Sequence, residues 1–115
     1  MIAIIFEVIP AAGRKDDYLE MAAEMRALVE TMPGFISVER FQSLTNPDKL
    51  LSLSFWEDEA AVQRWRELQE HRAAQRMGRG GMFADYRLKV VEVLRDYGKQ
   101  DRAEAPGDSR EVHGG

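Results

Sequence analysis

Residues 33–57 read PGFISVERFQSLTNPDKLLSLSFWE, and the fold turns on how this stretch divides. Phe35 to Leu44 alternates as a half-buried strand does. Lys49 to Glu57 alternates again: Leu51, Leu53 and Phe55 face one way, and Leu50, Ser52, Ser54 and Trp56 the other. Between them, Thr45-Asn46-Pro47-Asp48 is a turn, because Asn and Asp side chains bond nearby backbone and Pro presets φ. The stretch is therefore predicted to be a β-hairpin.

Upstream, Tyr18, Ala22, Met25, Leu28, Val29 and Met32 recur at the helical period over Asp16–Met32, opposite Glu20, Glu24 and Glu30. Pro33-Gly34 stops that helix. Downstream, Asp58 is placed to cap a second helix whose apolar stripe is Ala61, Val62, Trp65 and Leu68. Its pattern runs on through His71 to Met77 and breaks at Gly78-Arg79-Gly80-Gly81. Ile2 to Ile9 is a strand apolar on both faces, which suits a central position covered on two sides. Tyr86 to Leu94 is the last strand. The order βαββαβ predicts an α+β, ferredoxin-like fold, an antiparallel sheet with both helices on one face. The other face, together with Phe35, Phe41 and Trp56, needs a cover that no third helix supplies. A second copy of the sheet is the economical one, so a homodimer is expected.

The chain has 115 residues and one domain's worth of length, assigned to residues 1–98. Residues 99–115, KQDRAEAPGDSREVHGG, hold too little apolar surface to offset their ordering entropy and are expected to be a disordered or loosely packed tail, with His113 exposed in it. There is no cysteine, which removes disulfides, thiol nucleophiles and iron–sulfur ligation. No apolar run is long enough for a membrane span, and MIAIIFEVIP lacks the marks of a secretory signal, so a cytoplasmic protein is expected. A net charge of −4 argues against nucleic acid as a partner. Gly78 to Gly81 lacks phosphate-loop spacing, and Ser37, Ser52 and Ser54 lack a nucleophile-elbow context.

Five stretches carry a family resemblance: IIFEVIPAAGRKDDYLE at 4–20, PGFISVERF at 33–41, LSLSFWEDEAAVQRW at 51–65, HRAAQ at 71–75 and FADYRLKVVEV at 83–93. Over residues 1–98 the chain resembles the antibiotic biosynthesis monooxygenase family of dimeric α/β-barrel proteins. The resemblance implies a barrel made by two subunits, each with a pocket between its helices and sheet. Members that oxidise aromatic polyketides work without a cofactor, letting the substrate anion react with O₂. Haem-degrading members hold haem in the same cleft.

Read onto this sequence, Trp65 matches the family's pocket tryptophan, a wall or indole N–H donor for a flat ligand; by spacing alone it is equally a core residue. His71 stands where polyketide-oxidising members carry a tyrosine, and a neutral imidazole there could accept a proton from a phenol or enolisable ketone; its plain alternative is a half-exposed helix-end histidine. Gln75 stands where haem-degrading members carry their iron-ligating histidine, and Phe6 where they carry an asparagine. The resemblance therefore implies no metal and no cofactor, and makes haem the alternative. Phe6, Phe55, Gln75, Phe83, Tyr86 and Arg87 are candidate substrate contacts, the aromatic ones also fitting a core. Arg72, Arg76, Arg79, Arg87 and Lys89 form a basic cluster that could draw in a carboxylate or phenolate, or simply be solvated. The expected function is a cofactor-independent monooxygenase or quinone-forming oxidase, acting with O₂ on a small aromatic or polyketide-like substrate. The alternatives are haem binding or degradation, and a non-catalytic module binding an aromatic metabolite.

Overall fold

The computed structural model describes residues 1–75 and 81–108, with the side chains of 70–75 outside that description. Six elements follow in the expected order: β1 (Ile2–Pro10), α1 (Lys15–Val29), β2 (Phe35–Gln42), β3 (Leu50–Trp56), α2 (Glu59–Gln75) and β4 (Phe83–Glu92). The strands form one antiparallel sheet in the order β2-β3-β1-β4. This is the α+β ferredoxin-like arrangement, and β1 is central as its two apolar faces require.

Register fixes the two faces. Ile4 lies opposite Ser54 and Val90, and Phe6 opposite Ser52 and Leu88. Opposed residues share a face, so Ile4, Phe6, Val8, Ser52, Ser54 and Trp56 all point to the helices. Ile5, Leu53 and Glu39 align on the other side, with Leu51, Phe41 and Phe55 beside them.

Both helices bury one stripe against the first face. One core cluster joins Ile4, Val29, Trp56, Ala61 and Trp65; a second joins Val8, Tyr18, Ala22, Leu50 and Met82. Trp56 is fully buried. It stacks on Trp65 at 6.2 Å between ring centroids and meets the edge of Phe35 at 5.3 Å. Trp56 and Phe35 thus find partners within their own chain, whereas sequence reading assigned them to an outer cover. Phe41 stays exposed on the outer face.

The helix ends follow local chemistry. The Ala61 N–H donates to Asp58 Oδ1 at 2.8 Å, the expected cap of α2. α1 ends three residues before the expected Met32, because Thr31 and Met32 turn back onto Leu28 and Val29 through i→i−3 backbone bonds. Gly34 then adopts φ +85°, and a Cβ there would lie 2.6 Å from the Cβ of Ala61. This close approach seats the start of α2 against the start of β2.

Beyond β4 the chain departs from a featureless tail. The Asp96 N–H donates to Glu104 Oε2 at 2.8 Å, and Arg102 Nη1 donates to the Gly98 carbonyl at 3.1 Å. The Arg102 guanidinium sits 5.3 Å from the Tyr97 ring centroid, and Ala105 is buried. These local hydrogen bonds are made between exposed groups. His113 lies outside the described residues.

Gly34→Ala adds a backbone penalty and a steric one, together about 2–4 kcal/mol. Gly13 also has positive φ but open space around it, so Gly13→Ala carries only the backbone part, about 1–2 kcal/mol. Urea unfolding of both variants is expected to give that order, and equal midpoints would remove the packing role of Gly34.

Candidate functional site

The inward side chains of β3 run Leu50, Ser52, Ser54, Trp56: large, small, small, large. The large ones belong to the two core clusters. The serines leave a gap between the clusters, a cavity of about 100 Å³ between the sheet and both helices. Ser52, Ser54 and Phe6 contribute from the sheet, Met21 and Met25 from α1, and Trp65 from α2. Trp56 and Tyr18 line it too, while the exposed Arg26 and Gln69 reach it from the solvent side.

Arg40 brings charge to this apolar space. It sits on the inward face of β2, opposite Ser52. Its Nη2 donates to the Ala22 carbonyl at 3.3 Å, and its charge acts on the nearby Tyr18 phenol. Its Nε is buried and meets no acceptor among the described residues. Burial pushes the Tyr18 phenol above its usual value, and the Arg40 charge pulls it only part of the way back. Tyr18 is therefore protonated at neutral pH. Its O–H is thus a hydrogen-bond donor.

The cavity gathers some of the residues expected from sequence and not others. Trp65 and Phe6 line it. Phe83 is one ring away, edge-on to Phe6 at 6.1 Å and to Tyr18 at 5.8 Å. Tyr86 touches Phe6 and Phe83 but is largely exposed. Phe55 and Arg87 are not part of this site. Strand alternation puts both on the opposite face, Phe55 beside Ala3 and Ser37, and Arg87 opposite Glu7. Lys89 of the expected basic cluster shares that face, opposite Ile5. His71, Arg72 and Gln75 belong to the last turns of α2, where side chains lie outside the described part; Arg76 and Arg79 lie outside it entirely.

Tyr18, Arg40 and the two serines are the residues that sequence reading missed. The signal existed. Arg40 is in phase with Val38 on β2, so a charge occupies an inward position, and Ser52 and Ser54 interrupt an otherwise bulky inward row.

Residues 1–77 match the family model described as antibiotic biosynthesis monooxygenase. The chain belongs to this family. Among curated relatives, the jasmonate monooxygenase ABM of Pyricularia oryzae (strain 70-15) is 43% identical over 93 residues, covering 81% of this chain and 43% of that protein. The chain thus spans less than half the length of that relative. Among solved structures, a mutant of SnoaB, a cofactor-independent oxygenase from Streptomyces nogalater, superposes with a TM-score of 0.66 at 12% identity, covering 83% of this chain and 94% of that one. A mutant of MhuD with two manganese protoporphyrin IX molecules bound per active site superposes with a TM-score of 0.70 at 20% identity, covering 85% and 99%. These two likenesses concern the fold alone.

Among the described residues lining the cavity of this antibiotic biosynthesis monooxygenase domain there is no histidine, and the cavity's volume is below the roughly 300–1,000 Å³ of pockets for larger ligands.

Tyr18 gives the domain an alkaline signature. Its phenol ionises at higher pH when folded than when unfolded, so its contribution to stability is complete below about pH 10 and lost as pH rises through the folded value. Melting temperature measured from pH 8 to 11 is expected to fall more steeply for the wild type than for Tyr18→Phe. Parallel curves would place the phenol in a solvated setting.

Proposed function

We propose that this chain is a cofactor-independent monooxygenase or quinone-forming oxidase acting on a small ring compound. The observation that carries the reading is the cavity itself: an indole, phenyl and thioether wall around one protonated phenol, with the Arg40 guanidinium beside it and Arg26 at its solvent side. Family membership supports the reaction class, as does the name of the relative from Pyricularia oryzae.

The chemistry asks little of the protein beyond geometry and electrostatics. A base removes a proton from an activated C–H or phenolic O–H of the substrate. The resulting anion reduces O₂, and a C–O bond forms to give a peroxide that loses water. Overall, R₂CH₂ + O₂ gives R₂C=O + H₂O; a hydroquinone instead gives quinone + H₂O₂. We assign His71 as the base and Trp65 as the wall that orients the ring. Tyr18 donates its O–H to the substrate oxygen on which charge develops, in a site where low water content strengthens that bond.

The cavity volume bears on the substrate. An apolar cavity of about 150 Å³ takes benzene, so about 100 Å³ encloses no more than a single ring, with the rest of the ligand leaving past Arg26 and Gln69. Oxygen uptake by purified protein without added flavin, metal or haem tests the reading. Single-ring hydroquinones are expected to be consumed faster than anthrones. Trp65→Phe is expected to lower the rate about tenfold or more, and His71→Ala to abolish turnover while ligand binding persists. Uptake unchanged by His71→Ala would end its role as base. A haemin titration giving one tightly bound haem per subunit would overturn the reading in favour of haem.

The same proposal includes a cytoplasmic homodimer with the outer sheet faces packed together. Ile5, Leu51, Leu53 and Phe55 form an apolar stripe there, framed by Phe41 and Val91. Light scattering is expected to give twice the chain mass for the wild type and the monomer mass for Leu53→Glu. A monomeric wild type would remove the dimer.

A further inference from the structure

The charge inside the cavity is one-sided. Among the described residues lining it there are two arginines and no Asp or Glu. Arg26 is paired with Glu30 at 3.3 Å and exposed. Arg40 has no carboxylate within ion-pair distance among the described residues. A guanidinium carries five N–H donors. Of those of Arg40, one on Nη2 reaches a backbone carbonyl, while the Nε is buried with nothing to bond. Arg40 is half-buried, and leaving its buried Nε without a bond is costly. The side chain is also held over α1 by the Ala22 carbonyl and lies beside Tyr18.

We propose that the cavity takes an anionic ligand, a single-ring carboxylic acid whose carboxylate is bound by Arg40 while the ring lies against Trp65 and Phe6. The proposal rests on reading this cavity as the substrate site and narrows the substrate to a charged class. Arg40 is then the specificity-determining residue. Its planar fork matches a carboxylate in a way that a lysine cannot reproduce. Tyr18, protonated at neutral pH, completes the anion site with its O–H.

The chain's two tryptophans, Trp56 and Trp65, both line the cavity, so intrinsic emission reports its occupancy. Benzoate and benzamide are near-isosteric probes that differ in charge. At pH 7, benzoate is expected to bind the wild type about ten- to hundredfold more tightly than benzamide, the range of a hydrogen-bonded charge pair. Arg40→Gln is expected to remove the preference and Arg40→Lys to retain part of it. Arg87→Gln, on the opposite face, is expected to leave both affinities unchanged. Equal binding of the two probes by the wild type, or no binding of benzoate, overturns the proposal whether or not Arg40→Gln folds. So does tight benzoate binding by a folded Arg40→Gln. Oxygen uptake separates this from the reading beneath it. A benzoate preference in a protein that turns over none of the ring compounds keeps the anion site and removes the oxygenase. Oxygenase activity with no preference for acids does the reverse.

Discussion

The stack of Trp65 on Trp56 is the contact on which the helix layer depends. Trp56 is fully buried and meets Phe35 edge-on as well, so it holds α2 and the start of β2 to one end of the sheet. Tyr18, Val8 and Leu50 do the same for α1 at the other end. Between these two rigid ends, Ser52 and Ser54 are too short to fill the space. Protein interiors are ordinarily packed to the density of organic crystals, so a gap persists only where its surroundings cannot collapse into it. Two bulky ends and a short middle meet that condition. The cavity is thus a product of side-chain sizes along one strand, not of any irregularity in the backbone.

Much of the fold was legible because alternation and periodicity are strong local signals. The hairpin, the Asp58 cap, the two-faced β1 and the order of elements all follow from residues close in sequence. The division of faces in β3 was legible as well. What alternation cannot say is which of two apolar faces the helices take. Phe55 and Trp65 are both attractive aromatic candidates, yet one residue's step along β3 from Trp56 puts Phe55 on the far side of the sheet from α2. Arg87 is lost to the site for the same reason. Arg40 escaped notice for the opposite one: a charged residue amid polar neighbours reads as surface until the strand's phase is fixed against Val38. Tyr18 was read as one member of a helical stripe, and its setting beside Arg40 depends on a contact between elements.

The same backbone serves proteins with quite different contents. SnoaB and MhuD superpose well at 12% and 20% identity. At that distance the likeness is one of fold alone, so the chemistry of this chain is argued from its own side chains between helices and sheet. In this chain that lining combines aromatic walls with a single phenol–guanidinium pair. The pair is self-consistent: Arg40 supplies the positive charge, and Tyr18 stays neutral because it is buried.

The position of β1 has a further consequence, for the kinetics of folding. β1 precedes both of its neighbours in the chain, and Ile4 must wait for Ser54 on one side and Val90 on the other. No hairpin joins β1 to anything; only β2 and β3 can pair locally. Sheets built from such distant partners form slowly, because loop closure comes before the contacts that reward it. Until β4 arrives, an apolar strand has an open edge, which is the geometry that invites strand addition from another molecule. A strand that ends up paired on both sides is therefore also an exposed liability during assembly.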